Sequence, residues 1–182
     1  MISNGYINPA PMRDLCSVLS GVKIDLKAYT ERFYRELVAG ELQPVLDTLV
    51  LLKKQDMWTE IVYLVIPGQN DDRKELEALC RWIYKELGPD TPLHFSRFYP
   101  QYRLKNLPST PVKTLTMARQ IGLDSGLHFV YTGNVPGDPG ENTYCPSCGE
   151  IVIRRVGFAV VNVSLNKGRC DKCGAAIAGV WS

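Results

Sequence analysis

The amino-acid sequence predicts an α/β fold with parallel strands, followed by a small C-terminal β domain. Two observations lead to this class. Strand-like segments recur between helix-like segments of ten or more residues, and two cysteine pairs follow a Gly/Pro-rich stretch. The 182 residues suffice for one good core with a small appendage. The predicted division is a barrel-like unit at 1–132, a linker at 133–142 and a four-cysteine domain at 143–182.

The predicted elements alternate in a regular order. Strands are expected at 1–4, 22–26, 59–66, 92–96 and 127–132, and helices at 12–19, 29–39, 43–55, 71–88 and 112–126. In the clearest helix, "DDRKELEALCRWIYKELG", Asp72 and Glu75 resemble a capping box and Gly88 suits the C-terminal stop. Cys80 shares helical spacing with apolar residues, which indicates a core position, and we expect the same for Cys16.

The composition excludes some classes of protein. It is 45% hydrophobic and 22% charged, and the net charge of +2 gives no argument for nucleic acid or an anionic membrane. No apolar run reaches the roughly 18–20 residues that span a bilayer. The N-terminus lacks a basic segment followed by an apolar stretch, which argues against a secretory signal. We therefore expect a cytoplasmic protein without a membrane partner.

The strand "VKIDL" alternates apolar and charged residues, so it has one buried face and one polar face. Ligands of parallel α/β folds bind at the carboxyl ends of strands. Asn4, Asp25, Lys27 and His94 are expected at such ends. An Asp accepts from an ammonium group, and a Lys or His donates to a carboxylate, which favours a zwitterionic ligand. A surface ion pair of little consequence is the alternative for Asp25 and Lys27.

Two C-x-x-C-G motifs give the strongest local signal. They contain Cys145, Cys148, Cys170 and Cys173, with 21 residues between the pairs. This spacing is typical of a four-thiolate tetrahedral site with a structural role, since the protein fills every coordination position. Zinc is the first expectation, and a rubredoxin-like site would bind iron with the same ligands.

Six segments taken together carry a family resemblance. They are "SNGYI", "IDLKAY", "IPGQND", "LHFSRFYPQY", "YTGNVPG" and the terminal cysteine motifs with "GVW". Their succession resembles the C-terminal portion of AmmeMemoRadiSam-type radical S-adenosylmethionine proteins. That family is similar to the activating enzymes of pyruvate formate-lyase. The resemblance implies the C-terminal half of a partial (βα)6 barrel with a zinc ribbon appended.

In the family, reductive cleavage of S-adenosylmethionine beside a 4Fe–4S cluster yields methionine and a 5′-deoxyadenosyl radical, which abstracts hydrogen from a substrate. The resemblance implies Asp25, Lys27 and His94 as active-site residues, and Asn4, Asp25 and Lys27 as contacts to the cofactor. It leaves open whether Asp25 and Lys27 touch the cofactor or the substrate. The substrate is not identified, and Memo-like proteins are the partners that the family context suggests.

The chain departs from the family in one respect. It contains neither the C-x-x-x-C-x-x-C motif that binds the cluster nor the Gly-Gly-Glu segment that meets the methionine amino group. We expect both in a missing N-terminal half, so this chain is expected to be inactive alone. Half of a parallel barrel exposes a strand edge, so we expect the chain to associate, to bind a complementing fragment, or to be marginally stable.

The alternative is a non-enzymatic, degenerate half-barrel whose ribbon mediates protein or nucleic-acid contacts. A mild excess of basic residues in the ribbon leaves nucleic acid open; they are Arg154, Arg155, Lys167, Arg169 and Lys172.

Overall fold

The computed structural model describes residues 1–181, and its first part is built on a parallel sheet. The five strands lie in chain order: β1 Ile2–Ser3, β2 Val22–Asp25, β3 Thr59–Val65, β4 Leu93–Arg97 and β5 Val130–Gly133. The helices between them are α1 Pro9–Cys16, α2 Glu31–Phe33, α3 Gln43–Lys54, α4 Arg73–Glu86 and α5 Val112–Asp124. Each neighbouring pair of strands is parallel, which confirms the predicted α/β class.

Three predicted elements differ from those observed by three residues or more at one or both ends. The first helix begins earlier, at Pro9, because proline is favoured in the first turn. The segment expected to be helical at 29–39 is the short α2 followed by a π-helical turn, Tyr34–Val38, that ends at Ala39 with a φ of 56°. The last strand of the sheet begins at Val130.

Helix α4 shows how the sequence sets the local structure. Asp72 accepts hydrogen bonds from the backbone N–H groups of Lys74 and Glu75 at 2.9 and 3.1 Å, so it is the N-cap. Gly88 follows the helix with a φ of 95°, a conformation that glycine adopts at little cost. The apolar stripe of the helix is fully buried, and Cys80 lies in it as predicted.

The two faces of the sheet have different chemistry. One face packs against the helices through side chains such as Ile24, Ile61 and Phe95, none of which is exposed. The opposite face, called the inner face below, carries charged and polar side chains such as Asp25 and His94. Because strand residues alternate between faces, this arrangement accounts for the alternation in "VKIDL".

The C-terminal part, called the ribbon below, consists of short antiparallel strands. Strands β6 Thr143–Tyr144, β7 Ile151–Val156 and β8 Ala159–Val163 form one sheet, and β9 Leu165–Asn166 pairs with β10 Arg169–Cys170. A turn of 3-10 helix, Pro139–Glu141, lies within the predicted linker.

A second, smaller core joins the ribbon to the sheet. Its buried members are Phe129, Cys145, Val152, Ile153, Cys170 and Ile177. Phe129 immediately precedes β5 of the sheet, while the other members belong to the ribbon. The ribbon is therefore packed against the sheet through shared apolar contacts.

Strands β1 and β5 are the edges of the five-stranded sheet, and β6 and β8 are the edges of the three-stranded ribbon sheet. Strand β1 pairs with β2 on one side, and Ile2 in it is 74% exposed. All five residues of the edge strand β8 are exposed.

Across residues 1–181, no helix combines the length and the apolar character needed to cross a membrane.

Candidate functional site

A cavity of about 1050 Å³ lies between the inner face of the sheet and the ribbon. The sheet contributes Asp25, Glu60 and His94 to its lining, and the ribbon contributes Arg155 and Trp181. A concave space of this size with a few convergent polar groups is typical of a small-molecule site. Below, this space is called the inner cavity.

Glu60 and His94 form a pair on the wall of the inner cavity. Oε2 of Glu60 lies 2.9 Å from Nε2 of His94, and both side chains are less than a third exposed. The indole N–H of Trp58 donates to the other carboxylate oxygen at 3.3 Å. The hydrogen bond from His94 lowers the pKa of Glu60, and burial opposes it with a smaller effect. The carboxylate is thus held in its charged form.

His94 also stacks on an aromatic ring of the next strand. Its imidazole lies 4.8 Å from the ring of Tyr131, with 19° between the planes. The phenol oxygen of Tyr131 is 3.0 Å from Oγ1 of Thr143 in the ribbon, and burial raises the pKa of this phenol. Arg155 donates to the same Thr143 oxygen at 2.8 Å and lies 5.8 Å from the centre of the Tyr131 ring. One polar network thus runs from the sheet into the ribbon.

Asp25 and Lys27 form an ion pair at the end of β2, the arrangement given above as the alternative to a ligand site. Nζ of Lys27 lies 2.9 Å from Oδ2 of Asp25, with the two side chains 39% and 34% exposed. The backbone of Lys27 is fixed from two sides: its N–H donates to the Tyr34 hydroxyl at 3.2 Å, and its carbonyl accepts from Asn70 at 2.8 Å. Burial raises the pKa of Tyr34 to about 12, so this phenol stays neutral.

Asn70 is a fully buried polar residue that sequence reasoning did not single out. Its Nδ2 donates to the carbonyls of Lys27 and Leu64 at 2.8 and 2.9 Å, and its Oδ1 accepts from the N–H of Ile66 at 2.7 Å. The "IPGQND" segment is thus a turn that ties the ends of β2 and β3 together. The sequence signal was an Asn two residues after the Pro67-Gly68 pair, in a segment typical of a turn.

The predicted site residues do not all meet. Asn4 is exposed at the end of β1, where its Oδ1 accepts from the N–H of Tyr6 at 3.0 Å. His94 was expected at a strand end, but it is the second residue of β4. Asp25 and His94 flank Val62 in one row of the sheet, so their Cα atoms are roughly 10 Å apart. Glu60, not Lys27, is the partner of His94.

Glu60 could have been found from the sequence pattern. Its side chain lies on the inner face of the sheet, at one of the alternate positions of β3 that face away from the helices. Asp25 occupies such a position in β2, and His94 does so in β4. A single Glu at the start of an apolar strand is more often solvated, so the pattern alone did not identify it.

The four predicted cysteines come together in the ribbon. Their Sγ atoms all lie within 4.8 Å of one another, with Cys145–Cys173 at 3.6 Å and Cys148–Cys170 at 3.8 Å. A tetrahedral site with metal–sulfur bonds of about 2.3 Å has sulfur–sulfur distances of about 3.8 Å. The four thiols therefore form a metal-binding site.

The two turns that present these thiols have matching geometry. Gly149 and Gly174, each directly after a cysteine pair, have φ values of 73° and 75°. Their N–H groups donate to the carbonyls of Cys145 and Cys170 at 2.9 and 2.8 Å. The glycines permit the tight turns that allow both thiolates of a pair to reach one ion.

Comparison with known proteins places this geometry in a wider context. No family model matches the chain. An uncharacterised protein of Methanocaldococcus jannaschii is 43% identical over 179 residues, which cover 97% of this chain and 53% of that protein. The chain thus spans about half the length of this relative.

Two solved structures share the fold. A domain of a pyruvate-formate lyase-activating enzyme from Bacteroides vulgatus superposes with a TM-score of 0.64 at 14% identity, covering 72% of this chain and 79% of that one. A radical SAM methyltransferase from Sphaerobacter thermophilus gives 0.58 at 14% identity, covering 77% of this chain and 42% of that one. The chain therefore shares its fold with parts of these two proteins.

Proposed function

We propose that this chain is the C-terminal part of a radical S-adenosylmethionine enzyme of the AmmeMemoRadiSam type. In the full-length protein, a 4Fe–4S cluster would reductively cleave S-adenosylmethionine, and the resulting radical would abstract hydrogen from a substrate in the inner cavity. The observation that carries the proposal is the polar inner face of the sheet, found in a fold shared with an activating-enzyme domain.

The ion pair at the end of β2 suits the aminocarboxylate group of S-adenosylmethionine. Asp25 offers a carboxylate to an ammonium group, and Lys27 offers an ammonium group to a carboxylate, at a mutual distance of 2.9 Å. Asn70 and Tyr34 hold the backbone of Lys27 in place. Asn4 is proposed as a further contact from the end of β1. His94, with Glu60 behind it, is proposed to face the substrate.

The cysteines of this chain do not fit a 4Fe–4S cluster in the sheet unit. Cys80 is buried in the apolar stripe of α4, and Cys16 packs beside the same core. Within residues 1–181, the ribbon cysteines form the only group of at least three side chains suited to a metal ion. We propose that the cluster ligands belong to a part of the full-length protein outside this sequence, so this chain is inactive alone. For the ribbon we propose zinc.

The decisive experiment concerns the DNA immediately upstream of the first codon. An in-frame C-x-x-x-C-x-x-C there is expected, and the extended protein, reconstituted anaerobically with iron and sulfide, should convert S-adenosylmethionine to 5′-deoxyadenosine and methionine. Lys27→Met should reduce this conversion, whereas Lys54→Met, an exposed change on α3, should not. A 4Fe–4S signal in the present chain that disappears in Cys16→Ser would contradict the proposal.

The second candidate function is that the ribbon binds another protein molecule, because strand β8 is mostly apolar and is exposed. Val160, Val161 and Val163 are each more than half exposed, and Phe158 is fully exposed. Exposed apolar patches of this kind mark interaction sites. Sedimentation equilibrium should show association that Val161→Lys weakens. A chain that stays monomeric at all concentrations would remove this candidate.

A further inference from the structure

Charged side chains from both the sheet and the ribbon line the inner cavity, and only some of them form ion pairs. Every carboxylate in the lining has a partner: Asp25 pairs with Lys27, Glu60 pairs with His94, and Glu141 accepts from the N–H groups of Gly137 and Gly157 at 2.9 and 3.1 Å. Glu141 is thus bound by neutral donors, and none of these three carboxylates contacts the guanidinium of Arg155.

Two cations line the cavity, and neither forms an ion pair with any of residues 1–181. Lys23 lies opposite Glu60 in the sheet register, so that carboxylate partly offsets its charge. Arg155 is half-buried, and its hydrogen bonds go to neutral groups: NH1 donates to Oγ1 of Thr143 and to the carbonyl of Glu141. A half-buried guanidinium without a carboxylate partner is costly unless an anion completes the site.

Arg155 is also held in one position before any ligand arrives. Its NH1 is fixed by Thr143, its backbone N–H donates to Oδ1 of Asn142 at 2.8 Å, and its guanidinium lies near the face of Tyr131. Fixing one side of the guanidinium reduces the entropy lost on binding. Its other two nitrogens donate to none of the residues 1–181, so they remain for a ligand, and a guanidinium fork matches the oxygens of an anionic group.

The metal site fixes the wall that carries Arg155. Cys145 donates its N–H to the carbonyl of Glu150 at 2.8 Å, and strand β7 begins at the next residue. Val152 and Ile153 of that strand pack in the same small core as Cys145 and Cys170. Because Cys145 and Cys170 lie inside this core, a metal ion that joins them would also hold β7 in position.

We propose that the metal-bound ribbon is one wall of the substrate site, and that Arg155 anchors an anionic group of the substrate, a carboxylate or a phosphate. As a substrate site it rests on the proposed function. The binding itself requires neither cofactor nor turnover, so the two proposals can fail separately. Trp58 and Phe129 also line the cavity, which favours an anion attached to an apolar or aromatic body.

The test uses the metal-loaded chain with three probes: benzoate, phenyl phosphate and neutral benzamide. The imidazole resonances of the two histidines are followed by NMR. His94 lines the inner cavity, whereas His128 lies outside it, paired with Asp90, and is the internal reference. Both anions should shift the His94 signals saturably and bind about tenfold or more tighter than benzamide. The anion that binds more tightly identifies the anionic group of the substrate as a carboxylate or a phosphate.

Arg155→Met should weaken anion binding by about tenfold or more, and Arg155→Lys should retain more of the affinity than Arg155→Met does. Arg154→Met is the matched control, since it removes the same charge from the adjacent, exposed position of β7. Metal content shows whether each variant has folded. Removal of the metal should abolish the anion preference. Equal binding of benzamide and the anions, or equal affinities in Arg155→Met and Arg154→Met, would overturn the proposal.

Discussion

Glu60 and His94 contact each other diagonally across two parallel strands. Glu60 is opposite Lys23 in the register, and His94 is opposite Val62, two residues further along β3, yet the carboxylate and the imidazole meet at 2.9 Å. Diagonal contacts of this kind are within reach of long side chains. The pair fixes the orientation of the His94 ring, whose face lies on Tyr131.

Replacing Glu60 by Gln should remove part of the pH dependence of folding. The hydrogen bond from His94 lowers the pKa of Glu60, so this carboxylate stabilises the folded state above the ordinary Glu pKa of about 4.3 and loses that effect as the pH falls below it. The variant should be less stable than the wild type by about 1–2 kcal/mol at pH 7, with the difference shrinking in acid.

Urea denaturation at pH 7 and at acid pH measures this difference. Glu41→Gln is the control, because Glu41 is exposed and the change in charge is the same. A Glu60→Gln variant whose stability follows the wild type at both pH values would contradict the role of the pair.

Asn70→Asp should destabilise the chain strongly. The substitution would place a carboxylate oxygen against the carbonyls of Lys27 and Leu64, which now accept from Nδ2. The expected loss in the free energy of unfolding is about 2–3 kcal/mol or more. Asn166→Asp, an exposed position in β9, should change stability little. Equal effects of the two substitutions in chemical denaturation would refute the proposed tie between β2 and β3.

The N-cap of α4 gives a smaller and local effect. Asp72→Ala removes the acceptor for the N–H groups of Lys74 and Glu75, and it should cost about 1 kcal/mol in the free energy of unfolding. Asp72→Ser keeps an acceptor at the same position and should restore most of this loss. Thermal or urea denaturation of the three proteins checks the order wild type, Ser variant, Ala variant.

The four-cysteine site should bind about one metal ion per chain. Cys145→Ser should lower this stoichiometry, because the site loses a thiolate, and chelation should destabilise the ribbon. Cys16→Ser is the control, since Cys16 packs against the core between the sheet and the helices and is not one of the four ribbon cysteines. Elemental analysis measures both the amount and the identity of the metal. Less than about half an equivalent in the wild type would contradict the site.

Local sequence signals predicted the elements well where one short segment decides the structure. The alternation in "VKIDL" predicted a strand with two unlike faces, and Asp72 predicted the start of α4. The capping box was only half correct. Asp72 accepts from the Glu75 N–H, but the Glu75 carboxylate turns inward and accepts from the Tyr29 N–H and the Tyr63 hydroxyl at 2.7 and 2.9 Å.

Contacts between distant segments could not be predicted. Glu60 and His94 are 34 residues apart. No local pattern around either residue indicates that their side chains form a hydrogen bond. The adjacent Arg154 and Arg155 look equivalent in the sequence, but one side chain is exposed and the other lines the inner cavity. Pairing across a sheet depends on register, which a single sequence specifies only through its pattern of polar and apolar residues.

The position of Phe129 bears on how this protein is divided for laboratory work. It is 3% exposed and precedes β5, yet its apolar neighbours include Ile153 and Ile177 of the ribbon. A cut anywhere in 133–142 would leave this ring uncovered on one piece and its neighbours uncovered on the other. Truncations made to obtain the sheet alone should therefore precipitate more readily than the whole chain. Exchange of ribbons between relatives should succeed only when the residue at position 129 is exchanged with them.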